Sequence, residues 1–193
     1  MERIVSTKVL IADKQGTPKE WVSHKEAALY YANDKVLWEI GSPIKVYYGG
    51  FNKIGEQSSL TISSIVGVSG PILGSKFYEK ETVFAERMVL YARDRNLCGY
   101  CGDQFEPGDL TIDHVHPKSR GGKNTWVNCV TACKPCNLKK GNKTPEEAKM
   151  HLLYVPYAVN MFERMILKNR NILADQMEFL IARVPKHSRI LVN

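Results

Sequence analysis

Two Cys-x-x-Cys pairs, Cys98/Cys101 and Cys133/Cys136, constrain this chain most, because they tie two distant points of the sequence to one place in space. One tight turn presents both sulfurs of such a pair to a common ion. Two turns complete a closed tetrahedral shell of four thiolates, the donor set of a structural zinc. Gly99 and Gly102 ease the first turn and Pro135 fixes the second. The intervening segment is longer than a simple zinc ribbon needs, so it can form structure of its own between the knuckles. A CxxC redox protein is the competing reading. Two separate pairs, without the strand–helix pattern of such proteins, weigh against it. The total of five cysteines suits a disulfide scaffold poorly and a zinc protein of a reducing compartment well. Cys129, the one left over, is expected to pack as a small apolar residue.

The other 150 or so residues are read as support for that centre. With 193 residues, 44% hydrophobic and 24% charged, the composition is that of an ordinary folded protein, which argues against disorder. The formal net charge of +7 makes a polyanion the expected class of partner; a solvated basic surface is the alternative. No N-terminal stretch has the make-up of a secretory signal. Gly70 and Pro71 interrupt the best apolar run, Ile62 to Leu73, so no membrane partner is expected and the localisation read is cytoplasmic.

Along the chain the pattern is α+β. Lys8–Ala12 reads as a buried strand, followed by turn chemistry at Asp13–Gly16. Trp21–Ala32 has helical spacing, ending near Asn33-Asp34. Val36–Ile40, Ile44–Tyr48 and Leu60–Val68 are β-branched and aromatic and read as three more strands. His24 is expected at the surface. Phe77–Arg95 reads as a helix leading into Cys98, and its Arg87, Arg93 and Arg95 are weighed as phosphate contacts against a solvated face. Thr144, Pro145 and Glu147 form a capping-box signature for a short helix. Tyr157–Val184 reads as a long helix, interrupted near Asn169-Arg170, packing on the N-terminal layer or on a second copy of the chain as a homodimer. Its Arg164, Lys168 and Arg170, with Arg183, form a secondary basic patch. Three regions follow: an N-terminal mixed strand and helix layer at 1–75, a central module at 76–151, and a C-terminal helical segment at 152–193.

Inside the central module, Thr111–Val115 reads as a strand carrying Asp113 and His114. His116–Gly122 reads as a loop, Trp126–Thr131 as the return strand with Asn128, and Cys133–Lys140 as a helix with Asn137. A hairpin followed by a helix lets these side chains converge on one point. The run CGYC, DHVHPKSRGG, N and CKPCNLKKG, in that order over about 95–150, resembles the HNH endonucleases of ββα-metal fold, in their bacterial and phage branch with four zinc-binding cysteines.

That resemblance implies a role for each residue. His114 would be the general base that takes a proton from the attacking water. Asp113 and Asn137 would hold one Mg²⁺ or Mn²⁺ through oxygen. Asn128 would tie the loop across the hairpin and orient His114. His116, two residues from His114 and so expected on the same strand face, departs from the aliphatic residue of many relatives and is weighed as a phosphate contact against a direct catalytic role. Lys118, Arg120, Lys123, Lys139, Lys140 and Lys143 would form a basic collar positioning DNA, taken as double-stranded. The function read is hydrolysis of DNA phosphodiester bonds. The rivals are a non-catalytic zinc-stabilised nucleic-acid-binding module and an RNA-directed nuclease.

Overall fold

Val9–Ala12 (β1) is four apolar residues in succession, the pattern of a strand covered on both faces. A computed structural model, which describes residues 7–72, 86–186 and 188–191, shows why. Val9 and Ile11 pack with Ala27 and Tyr30, whereas Leu10 packs with Met165 and Leu180. Alternate residues of one strand thus serve two different cores. The described residues fall into two units, 7–72 with Met161–Lys186, and 86–160 with 188–191. The α+β class expected from the pattern holds.

The first unit is a four-stranded sheet in the order β2-β1-β4-β3 with helices on both faces. Pro18–Val22 (β2) pairs antiparallel with β1 through the turn at Asp13–Gly16. Trp21 and Val22, read as the start of a helix, therefore belong to a strand. Helix His24–Ala32 (α1) begins only after the Ser23/Glu26 capping box. Local chemistry overrode periodicity here: Ser23 Oγ accepts from the Glu26 N–H, and Glu26 accepts from the Ser23 N–H at 2.7 Å. His24 is half-buried and meets the Tyr47 hydroxyl at 2.6 Å, so it is not simply a surface residue. The two strands expected at Val36–Ile40 and Ile44–Tyr48 are one, Val36–Phe51 (β3), paired antiparallel with Gln57–Val68 (β4) and irregular in register between Ile40 and Pro43. At that irregularity Gly41 has φ +85°, and a Cβ there would stand 2.1 Å from Ser64 Oγ. Glycine is required to let β3 bend without ending.

The long C-terminal helix is two helices, Met161–Lys168 (α4) and Ala174–Ile181 (α5). Asn169 ends the first by folding on itself, its side chain bonded to the backbone of Asn171. Both helices lie on the sheet. Trp21 Nε1 donates to Met165 O at 2.9 Å, and the buried Gln176 amide donates to Lys8 O and Ser64 O. Arg164, expected in a secondary basic patch, is 6% exposed and so does not belong to a basic surface. Among the described residues no helix is long and apolar enough to cross a membrane.

The second unit opens with Arg87–Arg93 (α2); residues 77–85 of the expected helix lie outside the described residues. Leu110–His114 (β5) and Cys129–Cys133 (β6) form an antiparallel hairpin, with Leu110 opposite Cys133 and His114 opposite Cys129. The return strand starts later than expected because residues 125–128 close a turn, Asn128 N–H donating to Thr125 O. Cys133 caps Lys134–Lys140 (α3), with Pro135 in its first turn. The Thr144/Glu147 capping box forms, yet the segment makes one turn and stops, with Lys149 at φ +52°.

Arg93 is the largest fully buried side chain of the described residues and does not face solvent or a ligand. Its guanidinium pairs with Asp94 at 2.8 Å and donates to the carbonyls of Trp126, Cys129 and Tyr157. Asp94 in turn accepts the Thr131 N–H of β6 at 2.9 Å. Of the three arginines weighed as phosphate contacts, Arg93 is structural, while Arg87 and Arg95 are exposed.

Candidate active site and cysteine centre

The sulfurs of Cys98, Cys101, Cys133 and Cys136 all lie within 4.8 Å of one another and could hold a metal ion. Four thiolates about 2.3 Å from a zinc ion have tetrahedral edges of roughly 3.8 Å, so a modest contraction closes the shell and the donor set fits. The first knuckle is a tight turn, Gly102 N–H to Cys98 O, with Gly102 at φ +80°. It is pinned to the hairpin by Gly99 N–H donating to Thr131 O at 2.8 Å. Burial would raise the Cys98 thiol, but hydrogen bonds from the backbones of Cys101, Cys133 and Tyr100 bring it down to about 7. Burial pushes Cys101 up to about 11 and raises Cys136 as well. Cys129 stands apart, fully buried against Leu90, its thiol pushed up to about 11 by burial.

Asp113, His114 and Asn137 line one cleft of about 250 Å³, together with Pro117, Lys118, Ser119, Lys140 and Asn142. Asp113 is 4% exposed. One of its oxygens accepts from Lys140 Nζ at 2.9 Å and the other from the Tyr100 hydroxyl. Lys140 Nζ also donates to His114 O at 2.8 Å. Asn137 Nδ2 donates to Thr111 Oγ1 at 2.9 Å, leaving the amide oxygen as its ligand end. A carboxylate offers about four acceptor sites, so two donors leave Asp113 with room for a hard cation. A carboxylate and an amide oxygen in one cleft fit a cation such as Mg²⁺ or Mn²⁺.

Burial holds the His114 imidazole below its usual range, Lys118 and Lys140 push the same way, and Asp113 pulls against them. Asn128 accepts the His116 N–H at 2.9 Å and donates to His116 O and Lys123 O, with Val115 N–H bonded to its own carbonyl. These bonds close the loop that follows His114. His116 lies beyond the end of β5, exposed, its Nε2 3.0 Å from Arg120 O, and it does not line the cleft. Strand alternation, which would put it beside His114, stops applying where the strand stops.

Of the residues expected in a basic collar, Lys118, Lys123, Lys139 and Lys143 are exposed. Arg120 is exposed, and its Nη1 donates to both Glu147 carboxylate oxygens, at 2.9 and 2.7 Å. Lys140 departs from that expectation. It is 1% exposed, because the inner face of α3 turns it onto Asp113. Tyr100 and Lys140 are the site residues whose contacts sequence reasoning missed. The one signal available was their place inside the CGYC and CNLKKG runs. Burial and the nearby Asp113 carboxylate push the Tyr100 phenol up, so it remains a donor.

Residues 98–153 match the HNH endonuclease family. A curated relative, the CRISPR-associated endonuclease Cas9 of Campylobacter jejuni, is 30% identical over 82 residues, which is 39% of this chain and 8% of that protein. The resemblance read from the cysteines, Asp113-His114, Asn128 and Asn137 is therefore supported by both comparisons, and both point to a nuclease.

Proposed function

We propose that this chain, whose residues 98–153 form an HNH endonuclease segment, hydrolyses phosphodiester bonds in double-stranded DNA. The observation that carries the reading is the convergence of Asp113, His114 and Asn137 on one cleft, with exposed Lys118 at its wall. His114, neutral at working pH, takes a proton from the attacking water. Asp113 and Asn137 hold one Mg²⁺ or Mn²⁺, which when bound offsets charge on the scissile phosphate. Asn128 holds the loop after His114 and so fixes the strand end from which the base projects. The four cysteines hold a structural zinc that ties knuckle, hairpin and helix together, since the hairpin and α3 alone are too small to stay folded. Exposed Lys118, Lys123, Lys139 and Lys143 contact phosphates and position the duplex without reading its bases. In sequence, regions 1–75 and 152–193 flank the nuclease module, taken as 76–151.

The test is plasmid cleavage by the zinc-loaded protein across divalent metals. Cutting in Mg²⁺ or Mn²⁺ should fall by about a thousandfold in His114→Ala, in line with the usual worth of a positioned base. If His114→Ala cuts like the parent and His116→Ala does not, the base assignment is wrong. A protein that binds DNA with a steep salt dependence and cuts it in no metal is a binding module. Faster turnover of structured RNA than of duplex DNA would make it an RNA-directed nuclease.

A further inference from the structure

We infer that Lys140 sets how tightly the cleft of the second unit binds its hard cation, by holding Asp113 with a charge while Tyr100 holds it with a neutral hydrogen bond. The inference rests on the nuclease reading above and deepens it. Asp113 is buried, and a buried carboxylate requires compensation. Here that compensation comes from inside the chain. The Lys140 ammonium stands 2.9 Å from one carboxylate oxygen, with side-chain exposures of 1% and 5% for lysine and aspartate. The same ammonium donates to His114 O at 2.8 Å, so it also joins the last turn of α3 to the end of β5. Tyr100 reaches the other oxygen from the first cysteine knuckle.

The two donors differ in one physical respect. Tyr100 orients Asp113 and adds no charge. Lys140 orients it and places a positive charge beside the oxygen that a dication would share. Two cations sharing one buried carboxylate repel. The arrangement therefore keeps Asp113 folded and aimed when no dication is bound, and weakens the binding of one when it arrives. Lys139, the adjacent lysine, is exposed and has no such role. Lys140 and Tyr100 are positioning residues, acting through Asp113.

The experiment is Mn²⁺ binding to the zinc-loaded full chain, followed by the electron paramagnetic resonance signal of free Mn²⁺. Asp113→Asn should abolish the site. Lys140→Met should bind Mn²⁺ about tenfold or more tightly than the parent, as expected for removal of a neighbouring like charge. Tyr100→Phe should stay within about threefold of the parent, since no charge is removed. Equal tightening by Lys140→Met and Tyr100→Phe, or none by Lys140→Met, overturns the inference and leaves the nuclease reading standing. Unchanged Mn²⁺ binding in Asp113→Asn overturns both. Should Lys140→Met not fold, ¹⁵N resonances of the lysine side chains in the unmodified protein decide the matter. The Lys140 Nζ signal should move when Mg²⁺ is added, and a signal that stays put while the site fills overturns the inference.

Discussion

Replacing Arg93 with methionine keeps most of the aliphatic stem and removes the charge on which the second unit closes. The guanidinium makes two bonds to Asp94, at 2.8 and 3.1 Å, and one each to Trp126 O, Tyr157 O and Cys129 O, at 2.7, 2.8 and 2.9 Å. Its side chain and that of Asp94 are both 0% exposed. The variant leaves a buried carboxylate without its cation and three carbonyls without a donor. Breaking a buried pair by removing one partner costs about 3–5 kcal/mol. At about 1.4 kcal/mol per power of ten, unfolding of this unit becomes roughly a hundredfold to a few thousandfold more favourable. With a urea dependence of about 2 kcal/mol per molar, its midpoint falls by about 1.5–2.5 M. The assay is a urea titration of the zinc-loaded chain. Zinc release to a chromogenic chelator reports the second unit and circular dichroism reports both units. Adding Asp94→Asn should recover part of the loss, because the stranded charge is then gone. A zinc-release midpoint for Arg93→Met within about 0.5 M of the parent would refute the reasoning.

Two further substitutions probe smaller features. At Gly122 a Cβ would stand 1.9 Å from His116 O, so Gly122→Ala must displace the loop that Asn128 ties; cleavage should drop by about tenfold or more with zinc content and helix signal unchanged. Asp175 is pushed up by burial and pulled further down by hydrogen bonds from Ser42, Ser64 and Gln176, so its folded value lies below the ordinary 3.8. Stability from that difference is fully present above 3.8 and is lost as pH falls through the lower folded value. Thermal melts of Asp175→Asn should therefore show a smaller drop between about pH 4 and 2.5 than those of the parent.

The features legible in the sequence were those written in short-range spacing. The CxxC pairs, the Asp113-His114 dipeptide and the α+β alternation carry their meaning within a few residues. The features that escaped depend on which neighbour an element meets. Trp21 heads the apolar series read as one helix to Ala32, yet the Asp13–Gly16 turn brings its segment back along β1, and the ladder wins. Lys139 and Lys140 are indistinguishable as letters, and only the seating of α3 on β5 separates the exposed one from the buried one. Arg93 reads as one more basic residue on a helix until Trp126, Cys129 and Tyr157, from three later segments, aim their carbonyls at it. The box at Thr144 shows the opposite limit: the local signal was correct and produced a single turn, which ends at Lys149 with φ +52°.

Cys133 ends β6, caps α3, faces Leu110 across the hairpin and supplies one of the four sulfurs. A slip of one residue between β5 and β6 would turn every side chain of the moving strand to the opposite face. If β6 moves, the Cys133 sulfur leaves the quartet; if β5 moves, Asp113 turns away from Lys140. The sulfur quartet and the Asp113–Lys140 pair thus depend on one and the same strand alignment.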